Sequence, residues 1–295
     1  MTPAVPAPLL AVDAPSLLYR AFFALPDSIK DADGRPANAL LGMANLVLWV
    51  IERHGPRAVV LCFGAEAAHY RTDLFAPYHA DRPPMPEGLA SQWADAPTLY
   101  ESFGWTVHTV PTLEADDLLG AFARLESEAG GDTLLYTGDR DMFQCVSDRV
   151  KVLFPRGGAA KDGPEEIGPE EVQGRYGIKP EQVPDFIALR GDPSDGLPGA
   201  KGIGEKTARD LLRTHCTLEG VFEAAAKPGT LTPRQTGSLL DGADDIRAFR
   251  EIATLQDVPD LERPPDRPTD FANAATGARK HGLNRLAERL EAMGA

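Results

Sequence analysis

Gly191-Asp-Pro-Ser-Asp-Gly-Leu-Pro-Gly-Ala-Lys-Gly-Ile-Gly-Glu-Lys-Thr-Ala208 sets two carboxylates three residues apart, immediately before a glycine-punctuated turn that opens a helix. Gly199, Gly202 and Gly204 let the main chain turn tightly and come close to a ligand. The N–H groups of the following segment, Gly202, Ile203, Gly204, Glu205, Lys206 and Thr207, favour an anion such as a phosphate where the helix begins at about Glu205. With Asp192 and Asp195 in front and Lys201 and Lys206 interleaved, the stretch joins a candidate metal site to a candidate backbone-binding site.

Upstream of it, short apolar runs at 9–13, 58–63, 106–110, 133–137 and 150–154 read as buried strands. Helical patterns lie between them: 38–54 carries Leu40, Met43, Val47 and Val50 on one face and stops at Gly55-Pro56, and 114–128 carries Leu118, Phe122 and Leu125. Strands alternating with helices predict an α/β fold with a mostly parallel central sheet flanked by helices. In such sheets the ligand sits beyond the carboxyl ends of the strands. Residues 65–98 are polar, with Pro83-Pro84 and Pro86, and predict an excursion of short helices and loop from the sheet edge. The expected organisation is 1–178 as the sheet domain, 179–260 as a small helical appendage, and 261–295 as a proline-marked linker with a docking helix carrying Leu283, Leu286 and Leu290.

Acids recur at the strand ends. Asp13 closes the first strand, Glu114, Asp116 and Asp117 open the helix after the third, Asp139 and Asp141 follow the fourth, and Asp192 and Asp195 complete the set. Each has a purely structural reading: the triplet complements a helix dipole, and Asp139 caps the next helix. Together, unpaired carboxylates at one edge would repel by several kcal/mol in a partly desolvated cleft, and a hard cation removes that cost. Oxygen ligands without paired His or Cys select Mg²⁺ or Mn²⁺, and eight acids suffice for two ions. Two ions about 4 Å apart would clamp the attacking and leaving oxygens of a phosphodiester.

Composition bounds the alternatives. The chain has 295 residues, 43% of them apolar, enough to build a core without staples. Cys62, Cys145 and Cys216 are odd in number and widely spaced, which fits a reducing, cytoplasmic setting better than a disulfide framework. Residues 1–8 lack a cationic segment, and Asp13 breaks the apolar run that follows, so neither a signal peptide nor a membrane span is expected. The net charge of −14 favours solubility and leaves DNA binding open, because the local field at the cleft governs a substrate.

Several motifs together resemble the 5′-nucleases, the family comprising the N-terminal domain of bacterial DNA polymerase I, phage 5′-exonucleases and flap endonucleases. They are Val12-Asp13 with Tyr19-Arg20, Tyr70-Arg71, Tyr78-His79-Ala-Asp-Arg82-Pro-Pro-Met-Pro86, Glu114-Ala-Asp-Asp117, Thr137-Gly-Asp-Arg-Asp141, and Gly191-Asp-x-x-Asp195 running on to Ala208. The match covers roughly residues 8–260. The resemblance implies a PIN-like nuclease fold, a helical arch from 65–98 and a helix–three-turn–helix at about 185–215. It implies potassium held by the backbone carbonyls of Leu189, Arg190, Pro198, Ala200 and Ile203. It implies a Mg²⁺-dependent 5′–3′ exonuclease or flap endonuclease, standing alone without a polymerase domain and with a separate DNA polymerase as candidate partner. Tyr19 would stack on a terminal base, and Arg20, Arg71, His79 and Arg82 would gather the phosphate. Two departures stand out: Gly64 where the family commonly has an acid, and His79 where the arch usually carries a lysine. They motivate a competing reading, a DNA-structure-binding protein with weak catalysis. A ribonuclease on a related sheet is a third.

Overall fold

The computed structural model describes residues 7–156 and 163–295; the expected absence of a leader at 1–8 lies mostly outside them. The elements run β1 (Leu9–Asp13), α1 (Ala14–Ala24), α2 (Asn38–His54), β2 (Ala58–Gly64), α3 (His69–Leu74), α4 (Glu87–Glu101), β3 (Thr106–Val110), α5 (Ala115–Glu128), β4 (Thr133–Tyr136) and β5 (Val150–Phe154). They continue with β6 (Glu165–Ile167), α6 (Pro169–Tyr176), α7 (Val183–Arg190), α8 (Glu205–His215), α9 (Leu218–Ala225), α10 (Pro233–Asp241), α11 (Ala243–Ala253), α12 (Phe271–Lys280) and α13 (Asn284–Gly294).

Alternation along the central strands sets the layers. In β1, Leu9 and Ala11 face one apolar cluster while Leu10 and Val12 face another; in β2, Ala58, Val60 and Cys62 alternate likewise with Val59, Leu61 and Phe63. Both faces are therefore buried, as a parallel sheet requires. The strand order is β3-β2-β1-β4-β5-β6. The pairings are parallel except β5 with β6, an edge strand whose three residues carried too short a pattern to be foreseen. The order of strands reverses between β1 and β4, the switch point beyond whose carboxyl ends a crevice is expected in such sheets. Asp13 stands on one side of it and the segment after Tyr136 on the other.

Three observations bear on the organisation. The excursion 65–98 is partly core: its α4 segment buries Leu89 and Ala96 in the cluster shared with α1, α2 and the C-terminal helices. The helices between 183 and 253 have no separate core; Phe186, Ile187, Leu211, Val221, Phe249 and Ile252 are continuous with the α5 face of the sheet. The C-terminal docking helix is a hairpin, α12 and α13, because Asp270 caps Asn273 N–H and the chain turns at Gly282 (φ +72°) before Leu283. Arg57 and Arg263 both pair with the buried Glu126 carboxylate, fastening the segment before this hairpin to the sheet domain. Among the described residues no helix is long and apolar enough to cross a membrane.

Candidate active site

Asp13 ends β1 and caps α1, accepting Ser16 N–H on Oδ1 at 3.0 Å. Its other oxygen accepts the Thr137 hydroxyl at 2.6 Å, which binds β1 to the turn after β4. Thr137 Oγ1 in turn accepts Asp139 N–H, and Asp139 Oδ1 accepts Asp141 N–H at 2.8 Å, so one chain of hydrogen bonds fixes three carboxylates at the crevice. Asp116, in the first turn of α5, faces the same space. Its Oδ1 is buried with no hydrogen-bond partner, an acceptor that needs a donor or a cation.

A cleft of about 870 Å³ opens here, lined by Asp13, Glu114, Asp116, Asp139, Asp141, Asp192 and Asp195, with Tyr19, Glu66, His79, Arg82 and Arg190. Burial pushes the Asp116 carboxyl well above its ordinary range, reinforced by the charges of Asp139, Asp13 and Glu114. Burial and the neighbouring acids raise Asp141 likewise. Asp139 rises to about 7, through burial first and then the charge of Asp195. Asp13 is raised by burial against the opposing Thr137 and Ser16 hydrogen bonds. This is the cost that divalent cations remove, and the all-oxygen donor set suits hard ions. Among the described residues no three groups already stand as an ion-holding cluster. Asp195 and Asp192 are engaged by protein partners.

Asp195 Oδ1 receives His79 Nε2 at 3.0 Å and Arg82 Nη2 at 3.1 Å. Burial acts to raise this carboxyl, but the His79 bond and the two cationic neighbours hold it below its usual value. His79 holds φ +56°, uncommon outside glycine, and its ring stacks on Tyr78 with Nδ1 2.9 Å from Glu66 O. Asp192 Oδ1 accepts the Ser194 N–H at 2.9 Å and the Ser194 hydroxyl.

Two expected site residues, Asp117 and Arg20, stand outside the cleft lining, and Arg71 lines it from a buried position. Asp117 is fully buried outside the cleft lining: Oδ1 accepts Gln256 N–H at 2.9 Å and Oδ2 accepts Glu114 N–H at 3.1 Å, so it caps α5 and anchors the chain after α11. Arg71 is buried too, ion-paired to Glu114 at 3.0 Å and Asp117 at 3.2 Å, with Nε on Ile252 O. It also lines the cleft, with every edge of the guanidinium engaged by protein groups. Arg20 lies outside the lining and donates to the Arg156 carbonyl. Glu114 does line the cleft, though its oxygens accept Ala68 N–H and the Tyr78 hydroxyl. Tyr19 lines the cleft edge-on to Trp93.

The turn between α7 and α8 is built as a crossing. Gly191 (φ +83°) and Gly199 (φ +67°) lie back to back, and a Cβ on Gly199 would fall 2.2 Å from Gly191 N. Gly204, expected to need glycine's freedom, is extended (φ −93°) with open space about it. The first bond of α8 runs from Ala208 N to Gly204 O, so the N–H groups of Glu205, Lys206 and Thr207 point out of the helix. Lys206 and Thr207 border a second groove, beside Gln235. Of the five carbonyls expected at potassium, Leu189 O already accepts Ala200 N–H and Ala200 O accepts Ile203 N–H.

The description "5′-3′ exonuclease, N-terminal resolvase-like domain" matches residues 8–177, and "5′-3′ exonuclease, C-terminal SAM fold" matches residues 178–272. The chain belongs to the 5′-3′ exonuclease family. It is 37% identical over 285 residues to the thermostable DNA polymerase I of Thermus thermophilus, covering 96% of this chain and 32% of that protein. The corresponding figures for DNA polymerase I of Chloroflexus aurantiacus are 35% over 261 residues, 86% and 27%. The chain thus spans about a third of the length of these relatives or less. Among solved structures, the bacteriophage T5 flap endonuclease in a pseudo-enzyme-product complex with DNA and metal ions superposes with TM-score 0.69 at 16% identity, covering 96% of this chain and 98% of that one. The catalytic core of Rad2 with a DNA substrate gives 0.62 at 13%, covering 97% and 92%. These confirm the PIN-like nuclease fold.

For this exonuclease-family chain, the departure at Gly64 has a packing cause. A Cβ there would fall 2.5 Å from Ala115 N, Glu114 C and Leu113 O, so β2 ends against the backbone that opens α5. Glu66, two residues on, reaches the cleft lining instead. Thr137 and the Arg190 side chain belong to the site without having been expected there. The first lies inside a quoted motif, and its hydroxyl beside two acids was the available signal.

Proposed function

We propose that the chain is a divalent-metal-dependent 5′-nuclease, cutting DNA phosphodiesters at 5′ ends, gaps or flaps. The observation that carries this is the buried, unpartnered Asp116 Oδ1 beside the Asp13, Glu114 and Asp139 carboxyls at the sheet's switch point. Asp13, Asp116 and Glu114 would hold one Mg²⁺ or Mn²⁺ ion, and Asp139, Asp141, Asp192 and Asp195 a second. When bound, such ions supply Lewis acidity at the scissile phosphate and an acidified water nucleophile. The residues of the chain do the rest. Tyr19 offers a ring for a terminal base at the cleft wall, and the His79 ring and the Arg82 guanidinium face the strand from the segment 65–86. The outward N–H groups of Glu205 to Thr207 hold duplex backbone beyond the cut without reading sequence. Potassium on the free carbonyls of Arg190, Pro198 and Ile203 would strengthen that hold, and a separate polymerase would fill the gap left behind.

The test is cleavage of a 5′-labelled flap and a gapped duplex with and without Mg²⁺, beside Asp139→Asn. Metal-dependent products from the wild type alone support the reading. Tight structure-selective binding with no product on either substrate would support the DNA-binding alternative.

A further inference from the structure

The described residues contain three buried side-chain atoms without a hydrogen-bond partner: Asp116 Oδ1, Thr133 Oγ1 and Arg190 Nε. Two of these residues, Asp116 and Arg190, line the same cleft. The orphan acceptor calls for a cation, as argued above. The orphan donor calls for an anion.

Arg190 is the last residue of α7, where Gly191 stops the helix. Its guanidinium carries five donors and is poorly served. Nη2 reaches Asp192 Oδ2 at 3.4 Å and Nη1 reaches Glu205 Oε2 at 3.9 Å, both longer than the 2.7–2.9 Å of a good charge-assisted bond. Phe186 lies under it, Cζ 5.2 Å from the ring centroid, which fixes the side chain. Asp192 belongs to the acid cleft and Glu205 opens α8, so the guanidinium spans the gap between the cutting site and the turn that would hold backbone. Buried arginine donors are matched in geometry by phosphate oxygens, and a lysine ammonium would not reproduce the fork.

We propose that the Arg190 side chain binds a backbone phosphate of the DNA strand where it passes from the acid cleft to the turn at 199–207, as a positioning residue for the cut. This rests on the nuclease reading of the cleft.

The test uses 5′-flap substrates carrying one neutral methylphosphonate at successive positions either side of the cut, with wild type, Arg190→Met and Arg190→Lys. Single-turnover rates are measured in Mg²⁺ and affinities in Ca²⁺. At one position the methylphosphonate should weaken the wild type about tenfold or more and leave Arg190→Met unchanged, with Arg190→Lys between them. Every position acting equally on wild type and Arg190→Met would overturn the proposal. So would a lowered melting temperature in Arg190→Met with unaltered rate and affinity, which marks a brace between α7 and α8. If the wild type cuts nothing, the nuclease reading fails, and the affinity arm still decides whether Arg190 touches phosphate.

Discussion

His79 Nε2 stands 3.0 Å from Asp195 Oδ1, so the segment that leaves the sheet is tied to one of the cleft acids. Arg82 shares the same oxygen at 3.1 Å. An ion at Asp195 has to displace or share these contacts. His79→Ala should therefore strengthen Mn²⁺ binding to the DNA-free protein a few-fold by titration calorimetry, while slowing single-turnover cleavage. Unchanged or weaker Mn²⁺ binding would mean the contact does not compete with metal.

Asp116 and Asp117 are neighbours with opposite consequences. Asp117 is held in a buried pair with Arg71 and accepts two backbone N–H groups, so Asp117→Asn should cost about 3 kcal/mol of stability. Asp116→Asn removes a buried, unpartnered acid and should keep or raise the melting temperature in EDTA. Thermal melts of the two variants side by side decide the assignment, and equal losses would refute it.

The acid cluster should also make metal-free stability depend on pH. Asp139 is raised from 3.8 to about 7, so between these values the folded chain binds a proton the unfolded chain lacks. The stability contributed by the protonated form is full below about 4 and is lost as pH rises through about 7. His54 and His108, lowered by burial, act in the opposite sense in any variant. The difference in melting temperature between Asp139→Asn and wild type in EDTA should accordingly widen in favour of the variant from pH 5 to pH 8, and Mg²⁺ should close it. A difference that is flat with pH would contradict the cluster's electrostatics.

Gly64 has no room for the acid that the family resemblance leads one to expect there. Gly64→Asp and Gly64→Ala should each destabilise the fold by about 1–3 kcal/mol, since the new Cβ meets backbone at 2.5 Å and no side chain can yield. Wild-type melting temperatures for both would show that the end of β2 can move aside.

Much of this was legible in the chain. The β1, β3 and β5 runs and the α2 pattern declare themselves through apolar period and stop signals, and the pairing of β1 with β4 places Asp13 and Asp139 at one edge. What the sequence could not show was which acids face inward. Asp116 and Asp117 are adjacent in one motif, and only the 100° step of the helix turns one to the cleft and the other to Arg71. The burial of Arg71 between Glu114 and Asp117 is a tertiary fact with no local signature. The same holds for α4, whose apolar face is seen only once α1, α2 and α12 supply its partners.

The central claim is that the cleft carboxylates hold divalent ions. Mn²⁺ binding followed by electron paramagnetic resonance, on wild type and Asp116→Asn at one pH near 7.5, tests it without relying on turnover. The account predicts about two ions bound by the wild type, fewer by Asp116→Asn, and no change in the fold of either by circular dichroism. Wild-type protein that binds no Mn²⁺, or Asp116→Asn that binds it as the wild type does, would contradict it.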